Sequence, residues 1–105
     1  MADIVTLTAE DNDASVTLDV GGSVVFELEE NPTTGYRWQI GSTTGVLALE
    51  DDDFSPGEGV GAGGWRRLRF VATEPGNVVV LLALARQWAP DQRLKSMTVN
   101  VTVSR

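Results

Sequence analysis

The chain has 105 residues, a length that fits one domain over residues 1–105, and its 42% hydrophobic and 22% charged residues suit a folded globular chain rather than a disordered one. It contains neither cysteine nor histidine, which excludes a disulfide framework, a thiol nucleophile, thiolate or imidazole metal ligation and a Ser-His-Asp triad. Fifteen Asp and Glu against eight Lys and Arg leave a net charge of −7, which argues against nucleic acid and against anionic membrane surfaces as partners.

The pattern along the chain is that of strands. Val5 and Leu7 alternate with Thr6 and Thr8, and Val16, Leu18 and Val20 with Thr17 and Asp19. Gly21-Gly22 is a two-residue hairpin signal. Beyond it Val24, Phe26 and Leu28 face one way, Glu27 and Glu29 the other; Tyr36, Trp38 and Ile40 form the next alternating set, which makes Trp38 a core residue. Val46 to Leu49 is a short apolar piece. Leu68, Phe70 and Ala72 alternate with Arg67, Arg69 and Val71 before the turn Glu74-Pro75-Gly76-Asn77. Val78 to Ala85 is apolar throughout, as in a central strand covered on both faces. Met97, Val99, Val101 and Val103 alternate with polar residues at the end of the chain. No segment has a helical period. Seven or eight short strands at this spacing predict an all-β, immunoglobulin-like antiparallel β-sandwich.

Three connections carry more turn residues than a short hairpin needs: Asn31-Pro32-Thr33-Thr34-Gly35; Asp51 through Phe54-Ser55-Pro56-Gly57 to Gly61-Ala62-Gly63-Gly64; and Arg86-Gln87-Trp88-Ala89-Pro90-Asp91. Successive ones are separated by two strands. If strands alternate up and down, all three emerge at one end of the sandwich, where immunoglobulin-type domains carry binding loops. In the first, Pro32 restricts the backbone and Gly35 permits a positive φ; it reads either as a tight connection with an Asx turn or as a rigid wedge displaying Thr33 and Thr34. The glycines from 59 to 64 match G-x-G-x-x-G by letter, but a dinucleotide site needs a strand before and a helix after, and a loop precedes while Trp65 to Phe70 alternates as a strand. They serve either close approach of another backbone or a mobile loop. Arg86 and Trp88 form a pair typical of binding hot spots, unless Trp88 folds back to cap the core. Glu50-Asp51-Asp52-Asp53 lacks calcium-loop spacing and reads as a solvated acidic loop, so no metal is expected.

These three segments resemble the chagasin-type inhibitors of papain-like cysteine peptidases. Asn31-Pro32-Thr33-Thr34-Gly35-Tyr36, followed by Trp38, resembles that family's first binding-loop signature; Gly61-Ala62-Gly63-Gly64 matches the G-x-G-G of its second, and Arg86-Gln87-Trp88 two of the three positions of the R-P-W in its third, with Gln87 where proline is usual. The resemblance covers about residues 20 to 104. It implies a reversible, tight-binding inhibitor and not an enzyme, with no cofactor and a papain-like cysteine peptidase (papain or cathepsin L type) as partner. It further implies that the first loop enters the active-site cleft with its threonines near the enzyme's catalytic Cys and His, while the other two loops hold the cleft's two sides. A monomer is expected, without nucleic acid or membrane. The start of the chain has no visible signal peptide, which fits a cytoplasmic protein and equally a secreted or periplasmic one whose leader has been removed. The rival reading is a non-inhibitory adhesion or carbohydrate-binding module that stacks ligand on Trp65 and Trp88.

Overall fold

A computed structural model of the chain describes residues 4–31, 35–42, 45–56, 63–86 and 88–105. These form eight strands: β1 (Ile4–Leu7), β2 (Ser15–Asp19), β3 (Ser23–Glu30), β4 (Tyr36–Ser42), β5 (Leu47–Pro56), β6 (Gly64–Ala72), β7 (Gly76–Arg86) and β8 (Ala89–Ser104), with a 3-10 turn at Ala9–Asp11. They stack as two four-stranded sheets, β1-β3-β6-β5 over β2-β8-β7-β4. This is the expected immunoglobulin-like sandwich. No helix among the described residues is long and apolar enough to cross a membrane.

The alternation becomes the core directly. Val24, Phe26 and Leu28 of β3 and Leu68 and Phe70 of β6 face Val80, Leu82, Met97 and Val99 of the other sheet, all at most 1% exposed. Phe26 and Phe70 meet edge to face at 5.8 Å, a favoured aromatic geometry. Trp38 is core, as its register predicts.

The pairings β3–β6, β5–β6, β4–β7 and β7–β8 are antiparallel, whereas the edge strands β1 and β2 join β3 and β8 in parallel. The segment between β1 and β2 crosses from one sheet to the other, so neither strand is added by a hairpin. Gly21-Gly22 is likewise not a hairpin turn. The strands it joins lie in different sheets, and Val16 and Leu18 bury themselves opposite β3 rather than beside it. The turn is closed by Gly22 N donating to Asp19 O, and it is bonded to β6 through Gly21 N to Ala72 O and Ala72 N to Gly22 O.

Three further expectations are corrected. Asp51-Asp52-Asp53 is strand, not loop: β5 continues to Pro56 past a bulge at Glu50, with Asp51 opposite Arg69 and Asp53 opposite Arg67. Opposite charges across the ladder make an acidic strand tolerable there. Ala89-Pro90-Asp91 belongs to β8, leaving only residues 87 and 88 between strands. Finally, β7 is central in its sheet but covered on one face, since Val79 is half exposed; a two-layer sandwich leaves its outer faces to solvent.

Candidate functional site

Strand parity decides where the three motif-bearing connections go. β3, β5 and β7 run toward one end of the sandwich, and β4, β6 and β8 run away from it. The register brings their ends level: Glu30 and Pro56 both pair with Gly64, while Tyr36 and Ala89 both pair with Arg86. The three connections therefore leave the same end, as the spacing predicts. Pro32, Thr33, Thr34, Gly61, Ala62 and Gln87 lie outside the described residues; Asn31, Gly35, Tyr36, Gly63, Gly64, Arg86 and Trp88 lie within them.

These residues touch across connections. A Cβ on Gly63 would lie 3.4 Å from the carbonyl oxygen of Glu30 and 3.6 Å from Cβ of Asn31, which puts the start of β6 against the end of β3. Gly35 has φ +81, a conformation that side chains rarely adopt, and a Cβ there would lie 2.8 Å from Cη2 of Trp88. Glycine is thus required at 35 twice over: for the turn and for the indole. Gly64 is equally constrained, because a Cβ would collide with the carbonyl oxygen of Ser55 and sit 2.7 Å from the Phe54 ring.

The aromatic side of the site is a stack. The Arg86 guanidinium lies 4.5 Å over the Tyr36 ring and 5.8 Å from the Trp88 ring, a cation–π arrangement that holds three flat groups together. Trp88 is 73% exposed, so it does not fold back to cap the core. A large apolar side chain held by its neighbours while facing water is the usual form of a binding anchor. Trp65, 48% exposed, stands next to Gly64 at the same end of the fold. With Asn31, Tyr36, Gly63, Leu94 and Lys95 it walls an open cleft of about 510 Å³.

Beneath the loops is a charged cluster that the sequence analysis did not single out. The Glu30 side chain is 1% exposed; its Oε1 accepts from the backbone N of Trp38 at 2.7 Å, and its Oε2 accepts from Nε and Nη2 of Arg66 at 3.1 and 2.7 Å. Arg66 Nη1 donates to Asp52 at 2.8 Å, and the guanidinium lies 5.4 Å from the Phe54 ring. Desolvation pulls the Arg66 guanidinium down, but its hydrogen bonds to Glu30 and Asp52 outweigh that and hold it above its ordinary value. A second tie runs from the Trp38 indole N–H to the Glu29 carbonyl at 2.9 Å. The signal was there to be read: Glu30 continues the inward register of Val24, Phe26 and Leu28, and Arg66 that of Leu68 and Phe70. Two opposite charges in core register, at the same end of adjacent strands, point to a buried pair. Among the described residues no group of three or more acidic side chains is arranged to hold a metal ion.

Residues 17–103 match the family model described as chagasin family peptidase inhibitor I42. The chain is 31% identical over 101 residues to amoebiasin-1 of Entamoeba histolytica, covering 93% of this chain and 98% of that protein. It is 30% identical over 101 residues to chagasin of Trypanosoma cruzi, covering 89% and 92%. In fold it is similar to the crystal structure of a cysteine protease inhibitor from Entamoeba histolytica, with a TM-score of 0.89, 23% identity, and coverage of 97% of this chain and 96% of the other. With its sandwich, its three motifs and these relatives, the chain belongs to the chagasin family of peptidase inhibitors.

Proposed function

We propose that this chain is a reversible, tight-binding inhibitor of papain-like cysteine peptidases that blocks the active-site cleft with the loop end of its sandwich. The observation that carries the reading is the convergence of three motif-bearing strand ends on one end of the fold. Asn31 to Tyr36 form the central wedge, Gly61 to Gly64 one flank, and Arg86, Gln87 and Trp88 the other. The wedge obstructs the cleft, and the proline at position 32 reduces the conformational freedom the loop has to lose on docking. The glycine flank lies close to the peptidase backbone because no side chain intervenes, which permits main-chain pairing of the strand-addition kind. Trp88, held from behind by Arg86, supplies buried aromatic area on the other side.

An obstructing role needs no reactive group of the inhibitor's own, and the chain has neither cysteine nor histidine. The catalytic Cys and His belong to the partner. Loops fixed on a rigid sandwich lose little conformational freedom on docking, which lets an interface of roughly 800 Å² per partner bind tightly. The carbohydrate-module reading gives no role to the motifs at residues 31–35 and 61–64. Titration into papain hydrolysing a small fluorogenic substrate is the test. Stoichiometric or tight inhibition is expected, and undiminished hydrolysis at micromolar inhibitor would end the proposal.

A further inference from the structure

Among the described residues, Glu30 is the charged side chain sunk deepest in the fold, and its hydrogen bonds reach across both sheets. It stands at the end of β3, where the first loop departs. Trp38, whose backbone N–H it accepts, belongs to β4, where that loop returns in the opposite sheet. Arg66 stands two residues into β6, where the glycine-rich connection returns. Asp52 of β5 takes the remaining arm of the guanidinium. One carboxylate therefore ties both roots of the first loop to the root of the second.

We propose that Glu30 and Arg66 are positioning residues that set the wedge and the glycine-rich flank at a fixed spacing, and so determine affinity for the peptidase; this rests on the inhibitory reading above. Stability alone does not account for the pair. Desolvating two charges offsets most of their attraction, and apolar residues of similar volume commonly hold such a site as well or better. What apolar residues cannot supply is direction. A carboxylate that must meet one backbone N–H and two guanidinium nitrogens at once fixes three strand ends relative to one another.

That difference supplies the test. Glu30→Leu combined with Arg66→Met fills the same space without directional bonds. Because it leaves the Trp38 N–H without its acceptor, the double variant is expected to unfold at a moderately lower urea midpoint while staying folded in buffer. Even when fully folded it is expected to inhibit papain roughly tenfold more weakly, the loss coming from ordering that must now occur on binding. Wild-type inhibition by the folded double variant would overturn the proposal. Glu30→Gln and Arg66→Lys are milder arms that keep the fold. The first turns an amide N–H toward the guanidinium and the second cannot fork, so each is expected to weaken inhibition several-fold; wild-type inhibition by both would also overturn it. A readout independent of any peptidase is the set of amide NMR shifts of Asn31, Gly35 and Gly63, expected to move in these variants while those of Gly21 and Gly76 stay. If the wild-type protein itself fails to inhibit, the inhibitory reading falls and these shifts alone decide whether the pair positions the loops, with unmoved amides overturning that.

Discussion

At the end of the sandwich away from the loops, the described turns are held mainly by backbone bonds, joined by the Thr73 hydroxyl, which donates to the carbonyls of Gly45 and Val46 at 2.7 and 3.2 Å. Gly21 and Gly22 exchange hydrogen bonds with Ala72, Thr73 N donates to Val46 O, and Val20 N donates to Ser104 O. At the loop end, the ties come from side chains underneath: Glu30 to Trp38 and Arg66, the Trp38 indole to Glu29, and Arg86 stacked between Tyr36 and Trp88. A turn closed by its own backbone has used the donors and acceptors that a partner would need. Side chains that brace the described loop roots from below hold those roots in place and so limit the ordering that docking must cost. The contrast fits the proposal that the loop end is the docking end.

The largest expected break in this contrast is Trp88→Ala. It should weaken inhibition by about 2 kcal/mol or more while changing stability by under about 0.5 kcal/mol, because the indole is held for display rather than for the core. Inhibition constants and urea midpoints measured side by side check this, and a loss in the midpoint alone would make Trp88 a structural residue. Gly35→Ala should come next. Positive φ costs a non-glycine residue roughly 1–2 kcal/mol, and the new methyl group would push Trp88 off its seat, so both stability and inhibition should fall. The smallest effect is expected at the far end. Gly21→Ala carries similar strain at φ +93 but meets nothing within 4 Å, so it should lower stability by roughly 1 kcal/mol and leave inhibition unchanged. Equal losses of inhibition from Gly35→Ala and Gly21→Ala would erase the distinction between the two ends.

How much of this could be read from the sequence depended on whether the deciding interaction was local. Alternation in Val24-Phe26-Leu28 and Leu68-Phe70-Ala72 named the core because period two is a property of each strand alone. The convergence of the loops followed from counting strands. The acidic run at Asp51-Asp52-Asp53 misled, since what makes it a strand is the set of arginines on β6, fifteen or so residues away in sequence and invisible to a local reading. Gly21-Gly22 misled in the same way: two glycines announce a turn, but whether the chain returns to the same sheet or crosses to the other depends on where the flanking apolar faces find partners. The display of Trp88 was left open by its neighbours in sequence and is decided by Gly35 and Arg86. Glu30 was legible in principle, by its place in the inward register, but a lone glutamate beside Glu29 reads as one more solvated acid until Arg66 is seen diagonally across on β6.

The most direct test of the central claim, that one end of the sandwich docks on the peptidase, is a footprint. Isotope-labelled protein titrated with papain whose catalytic thiol carries a small reversible blocking group should show amide perturbations at Asn31, Gly35, Gly63 and Trp88 and none at Gly21, Gly45 or Gly76. Perturbations centred on Gly21, Gly45 and Gly76, with the loop end unmoved, would contradict the account.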